Sequence, residues 1–548
     1  MAEIGRLHYL NLTGSSGREM RRLFRVAGCV LLLMPAVLPA QDAPYPPANG
    51  DPFDVSATPQ DKAQQPYKLS VTTREVVLDV VVTDKKGNLV RRIDLKPGDF
   101  TVLEDKQPQR IRGFETPSAH QMPPAGDKPI VSSAADLKKI GDAPVTVLVL
   151  DELNSRFEDM SFSRNAMVKY LESQPAVLKE PTVLLIASNT TFQQMHDYTQ
   201  DRDALIAVVK KHMPEYPWRM MNSGKTGPGA VERMAQVLAA LQQIAQASSG
   251  TPGRKNLIWV GNGYPSADLT GLDDKTVDTI ETAVKRVTNR MLAARITMYT
   301  IDPAPGTTTV VDVETPEDLD SSQNGTGSDP FAGGTASFET FASSTGGKAF
   351  RGRNDIHNEI GEGISAGSFY YTLSYTPSNT STDAAKYRNI RLVMKDPNLR
   401  ATTRDGYYQE TAADANPASD KDSGPKQQMA NLQLDISGAL TSTISYNGLN
   451  VKAEKAADGT YRITVDAAGL TWGPDAKGIE GAEATVVAGW YDAKGKLLGH
   501  VAREEVSPRG DAAVFSLPIA VPAATKRLRV LVRDAVSGRM GTVDLTKF

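Results

Sequence analysis

Between residues 136 and 410, short β-branched runs alternate with long helical patterns, and this alternation constrains the fold more than anything else in the chain. Such a pattern marks a parallel sheet covered on both faces, because each crossover helix must bury its apolar stripe against the strands it connects. The run Val145 to Leu150 is continuously apolar, as a strand buried on both faces requires. The spacing then predicts a helix over 161–172, a hairpin of 182–187 with 192–198, and helices over 202–212, 231–247 and 275–294. Strands are predicted at 256–260 and 296–301, with shorter elements following to Met394.

A chain of 548 residues is too long for one core, and linkers divide it. Segments 41–65, 117–135 and 411–428 are rich in Pro, Gly, Ser, Asp and Ala and lack apolar periodicity. Segment 66–116 holds short strands, among them Val76 to Val82, and reads as a small β domain. Segment 429–548, with runs such as Ala484 to Tyr491 and Leu528 to Arg533 and the hairpin signal Asp492-Ala493-Lys494-Gly495-Lys496, reads as an immunoglobulin-like β-sandwich.

Residues 1–40 read as a secretory signal peptide. Arg18, Arg21, Arg22 and Arg25 precede the apolar run Val26 to Val37, and Ala40 offers a small residue for cleavage. Cys29, the single cysteine, lies ahead of most of that run, so ordinary cleavage is expected over lipidation, and the mature chain is expected to hold no cysteine. No mature segment has the length of a membrane span. Export to the periplasm, the cell surface or the exterior is therefore expected. A net charge of −3 carries no bias toward polyanions and argues against a nucleic-acid partner.

Several strings in order resemble one family. These are Leu78 to Gly87, Phe100 to Asp105, Pro108 to Ile111, Gly253-Arg254-Lys255, Tyr299 to Pro303, Thr345 to Phe350, Tyr370 to Pro377 and Gly406-Tyr407-Tyr408. Together they resemble the von Willebrand factor type A-related proteins of the acidobacterial type. The resemblance implies a multidomain fold: a central α/β von Willebrand factor A-like domain over 136–410, Rossmann-like with a mostly parallel sheet, flanked by small all-β domains. It also implies a divalent-cation site above the carboxyl ends of the strands, built from oxygen ligands on three loops.

Carried over residue by residue, that site would comprise Asp151, Ser155, Thr226 and Asn262. Leu153 stands where a hydroxyl belongs, and Asn262 replaces a carboxylate. The expectation is a degenerate metal-ion-dependent adhesion site with weak Mg²⁺ binding at most, no other cofactor, and Glu152, Trp218 and Asp302 around its rim.

Enzymatic strings are set aside on context. Gly363-Ile364-Ser365-Ala366-Gly367 matches a nucleophile elbow but is preceded by a helical pattern and followed by a strand, the reverse of what that motif needs. The six histidines are scattered, without closely spaced ligand pairs. Two functions stay open for a non-enzymatic exported chain: a protein-binding, adhesion-type module using the strand-end loops, or a structural or secretion-associated envelope scaffold in which those loops are inert.

Overall fold

The computed structural model describes residues 75–547 apart from 125, 127, 189–191, 214–227, 265–266, 269–271, 304–334, 353–354, 379–386, 410–423, 457–458 and 475–479. Thr226 and Trp218, and the expected signal peptide, lie outside the described residues.

Strands β1 (Val76–Asp84), β2 (Phe100–Glu104), β3 (Gln107–Gln109) and β4 (Ile111–Glu115) open the chain. They form half of a two-sheet sandwich. The other half comes from β13 (Tyr371–Tyr375), β14 (Tyr387–Met394), β15 (Leu399–Thr402) and β16 (Gly406–Tyr408), roughly 290 positions later. One sheet runs β15-β1-β13-β4 and the other β16-β14-β2-β3, all antiparallel. Leu78, Val80, Val102, Leu373 and Tyr375 fill the space between them. Strands β13 to β16, from the end of the segment expected as the central domain (136–410), thus complete the sandwich that the expected 66–116 domain begins. The apolar run Val76 to Val82 needs partner strands to bury it, and local sequence does not reveal that one of them lies at 371–375.

Inserted between these halves is a six-stranded sheet in the order β12-β10-β8-β5-β6-β7. Its strands are β5 (Val145–Asp151), β6 (Val177–Ala187), β7 (Phe192–Asp201), β8 (Lys255–Val260), β10 (Ile296–Ile301) and β12 (Ala349–Phe350). A two-stranded pair, β9 (Ala267–Asp268) with β11 (Thr335–Ala336), lies apart. The pairs through β5, β6, β8, β10 and β12 are parallel, and β7 closes one edge antiparallel as the hairpin reading expects.

Side chains alternate between the faces of this sheet, as strand geometry dictates. Val147, Val149, Leu257 and Trp259 pack with helices α3 (Pro228–Ser248) and α4 (Asp274–Ala293). Leu148, Leu150, Ile258 and Val260 pack with α1 (Phe157–Glu172), α2 (Arg202–Lys211) and α6 (Ile356–Gly367). A five-residue helix, α5 (Thr340–Ser344), precedes β12. The expected linker 117–135 runs along the open side of β7, where Gln200 donates its N–H to the Val131 carbonyl and accepts N–H bonds from Ile130 and Val131 on its side chain. That covers a sheet edge.

Helix α7 (Gly424–Thr441) leads to the C-terminal sandwich. There β17 (Val451–Lys455), β18 (Tyr461–Asp466) and β22 (Ala512–Leu517) face a sheet of β19 (Gly473–Pro474), β20 (Glu480–Tyr491), β21 (Leu497–Pro508), β23 (Arg527–Asp534) and β24 (Met540–Leu545). Asp492 accepts N–H bonds from Lys494 and Lys496 on its carboxylate, and Gly495 takes φ +78°, so the predicted hairpin turn forms.

The expected fold class is corrected by this architecture. Among the described residues strand accounts for 38% against 29% helix, and five of the six sheets are wholly antiparallel. A mainly parallel α/β molecule of von Willebrand factor A type with minor β appendages is not what the chain forms. Most of its strands are recruited into two antiparallel sandwiches, and the first of these is completed across the whole length of the insertion.

Candidate functional site

The carboxyl ends of β5, β8 and β10 converge, and three of the expected site residues meet there. Asp151 ends β5 fully buried. Its Oδ1 accepts the backbone N–H groups of Leu153 (2.9 Å) and Asn154 (3.0 Å); its Oδ2 accepts the indole N–H of Trp259 (3.1 Å) and the Gly263 N–H (2.8 Å). Ser155 Oγ accepts the Asn262 N–H at 3.4 Å. Gly261, at φ +144°, passes so close that a Cβ there would collide with the Asp151 side chain. This close approach, together with the φ, is why a glycine stands at the position.

Burial pushes the Asp151 carboxyl up to about 6, against the lowering pull of the Trp259, Asn154, Gly263 and Leu153 donors. A carboxylate offers about four lone-pair directions. All four are directed at N–H donors here, so Asp151 ties the loop after β5 to the loop after β8 and has nothing left for a metal ion. Leu153, in the place of a hydroxyl ligand, is a buried member of the core. The oxygens of Asp151 are thus engaged by N–H donors within the protein, while Thr226, the fourth expected ligand, lies outside the described residues. Titration calorimetry with Mg²⁺ at neutral pH should give no stoichiometric heat, and tight one-to-one binding abolished by Ser155→Ala would overturn this assignment.

Glu152, expected at the rim, is buried instead. Its N–H donates to the Ala187 carbonyl at 2.8 Å, and its Oε1 lies 2.6 Å from His212 Nε2 at the end of α2. Its Oε2 has no hydrogen-bond partner. Asp302 follows β10, donating its N–H to the Phe350 carbonyl at 3.0 Å, and its charge reaches Arg156. Asn154 and Asn262 are half-buried beside these loops.

Two side chains at this end were not anticipated. Phe157, the first residue of α1, is 48% exposed, and Met213, just past α2, is 77% exposed. The Glu152–His212 pair and the Arg164 bond to the His212 carbonyl (2.8 Å) fix the end of α2 against the start of the β5 loop. The apolar Phe157 directly after Arg156, ahead of the stripe that α1 buries, was the available signal. It went unread because the helix was expected to begin at 161.

A second polar cluster lies at the opposite, amino end of the strands. Glu115, His120 and Asp142 bring potential ligand atoms within 4.8 Å of one another. His120 is buried, stacks on Tyr370 with ring centres 4.5 Å apart, and places Nε2 3.0 Å from Thr372 Oγ1. Burial first and the Arg295 guanidinium second hold its pKa below the usual histidine range. Arg295 pairs with Asp79 at 2.5 Å and donates to Thr372, and the neighbouring Lys255 is pushed down to about 7 by burial. These cations oppose a metal ion, and the network instead joins β1 and β13 of the sandwich to the base of the central sheet. Sequence spacing could not reveal the grouping, since its members come from separate segments. Ser365 lies inside α6, with β13 after it, so no nucleophile elbow forms.

Among the described residues no helix is long and apolar enough to cross a membrane. No family model matches the chain, and no curated protein matches it. Among solved structures, the crystal structure of the pilus adhesin SpaC from Lactobacillus rhamnosus GG is similar at 8% identity and a TM-score of 0.22. The match covers 82% of this chain and 58% of that one. A likeness of that size carries no argument about function. None of these comparisons identifies a von Willebrand factor type A-related protein.

Proposed function

We propose that this chain is an exported, non-enzymatic binding protein that recognises a protein partner through the rim at the carboxyl ends of β5, β8 and β10. The observation that carries the reading is the exposure of Phe157 and Met213 beside the hydrogen-bonded loop after β5 and the pinned end of α2. Large apolar side chains held in the open on a rigid frame are the ordinary anchors of protein interfaces. Fixed loops also lower the ordering cost of association. Arg156, Asn154 and Asp302 supply a polar surround in which bonds to a partner's backbone can form.

The saturated carboxylate of Asp151 supports a binding role over a catalytic one, since it is already engaged with four internal donors. The Arg-rich and apolar pattern of residues 18–40 supports export.

Affinity capture from the native envelope with the full chain, compared with Phe157→Asp and Met213→Asp, tests the reading. A protein retained by the wild type and lost with both variants, while circular dichroism stays unchanged, is the expected result. Retention unaffected by either substitution would sink the proposal and favour a scaffold whose strand-end loops are inert.

A further inference from the structure

The C-terminal sandwich carries an open sheet edge whose sequence is complementary to itself. Strand β21 pairs along one side with β20, from Gly481 opposite Pro508 to Trp490 opposite Gly499. Among the described residues no strand pairs with its other side. Arg509 donates its N–H to the Glu480 carbonyl at 3.0 Å in the continuation of that register. In an antiparallel ladder, bonding alternates along the strand. From Gly499 to Ser507 the odd-numbered residues of β21 therefore bond to β20, and the even-numbered ones between them direct their N–H and C=O groups toward the open edge; the register shifts at Leu498.

The same even-numbered residues carry the outward side chains. Leu498 and Val506 are 42% and 59% exposed, and Ala502 and Glu504 are exposed between them. Long exposed edges are normally guarded by charges that repel another strand. Here the charges repel only in some registers. An antiparallel pair of identical strands related by a two-fold axis must centre on one residue facing its own copy. Centring on Arg503, Glu504 or Glu505 sets like charges face to face. Centring on Ala502 places two small side chains at the axis and His500 opposite Glu504 of the second copy, a pair that occurs twice, with the exposed Val506 of each copy toward the Leu498 end of the other. Small meets small and base meets acid, which is the cross-strand pairing that stabilises sheets.

We infer that β21 is a homodimerisation edge, at which a second copy of this chain adds antiparallel in the Ala502-centred register to make one continuous sheet across the two subunits. The inference is independent of the rim proposed above, which lies on the central sheet.

Sedimentation equilibrium on the full chain should show a concentration-dependent dimer. Ala502→Lys, which sets two ammonium groups against each other at the axis, should weaken it at least about tenfold. In a Cys29→Ser background, Ala502→Cys should be joined to its own copy by a short bifunctional thiol reagent, whereas Val536→Cys, exposed on a turn away from this edge, should not. A chain that stays monomeric at every concentration overturns the inference. So does a dimer that Ala502→Lys leaves unchanged, or equal crosslinking at 502 and 536.

Discussion

Replacing Asp435 by alanine is expected to lower the stability of the native protein by about 3–5 kcal/mol, the range for breaking a buried ion pair from one side. Asp435, on α7, has a fully buried carboxylate. Its Oδ1 accepts from Gln246 at 2.5 Å and Gln242 at 3.3 Å on α3, and from Arg290 at 3.2 Å on α4; its Oδ2 accepts from Arg533 at 2.9 Å on β23. Arg286 lies close enough to feel the same charge, and burial with Arg290 beside it already pulls its pKa down to about 10. Without the aspartate, Arg290 and Arg533 would lose the carboxylate they share.

The loss has a location as well as a size. Asp435 joins the central helices to the C-terminal sandwich, next to the apolar contacts of Ile436, Ala439 and Leu440 within the same core. Scanning calorimetry should therefore show the variant unfolding in two separated transitions where the wild type couples them. A single transition shifted by less than a degree would show that the apolar contacts alone carry the coupling.

Asp151→Ala is the second large effect. The substitution orphans four N–H donors, each costing about 1–3 kcal/mol if left buried and unpaired. Against this stands the relief of removing a buried charge. A carboxyl raised from 3.8 to about 6 corresponds to a burial penalty on the order of 3 kcal/mol at neutral pH. The orphaned donors outweigh that relief, so a net loss of about 1 kcal/mol or more is expected at pH 7.

The pH dependence provides a separate signature. Because the native pKa lies above the unfolded one, the native state holds more protons between pH 4 and 6. The contribution of Asp151 to stability is therefore fully present below about pH 4 and is lost as pH rises to about 6. Denaturant titrations across this window should show wild-type stability falling relative to the alanine variant as pH rises. Parallel curves for the two proteins would mean that the carboxyl titrates as an exposed aspartate does.

Much of the element pattern was legible. The helices expected at 202–212, 231–247 and 275–294 and the strands at 145–150, 256–260 and 296–301 appear within a few residues of their expected bounds. Each carries a strong local period that tertiary contacts had no reason to override. Helix α7 was missed because the segment after 411 opens with Pro, Ser, Asp and Gly, which hid the helical spacing of Leu432, Ile436, Ala439 and Leu440.

The site was legible only in part. That Asp151, Ser155 and Asn262 would meet follows from strand ends lying side by side in one sheet. Their chemistry did not follow, because a carboxylate with free lone pairs and one saturated by backbone and indole N–H groups have the same sequence. Leu153 and Asn262 were read as losses from a metal site. In the folded chain Leu153 is core, and the Asn262 backbone is anchored on Ser155.

By itself, then, the sequence determined which segments become strands and helices, since those choices depend on side-chain periodicity over a few turns or pleats. It also determined that the loops after β5, β8 and β10 would gather at one end of the central sheet. Only the tertiary structure decided that β1 finds its partner in β13, that Glu152 turns inward to His212, and that Asp151 spends its lone pairs within the protein. Each of these rests on groups brought together from distant positions, and the free energy that selects them, burial against available partners, exists only once those groups are in contact.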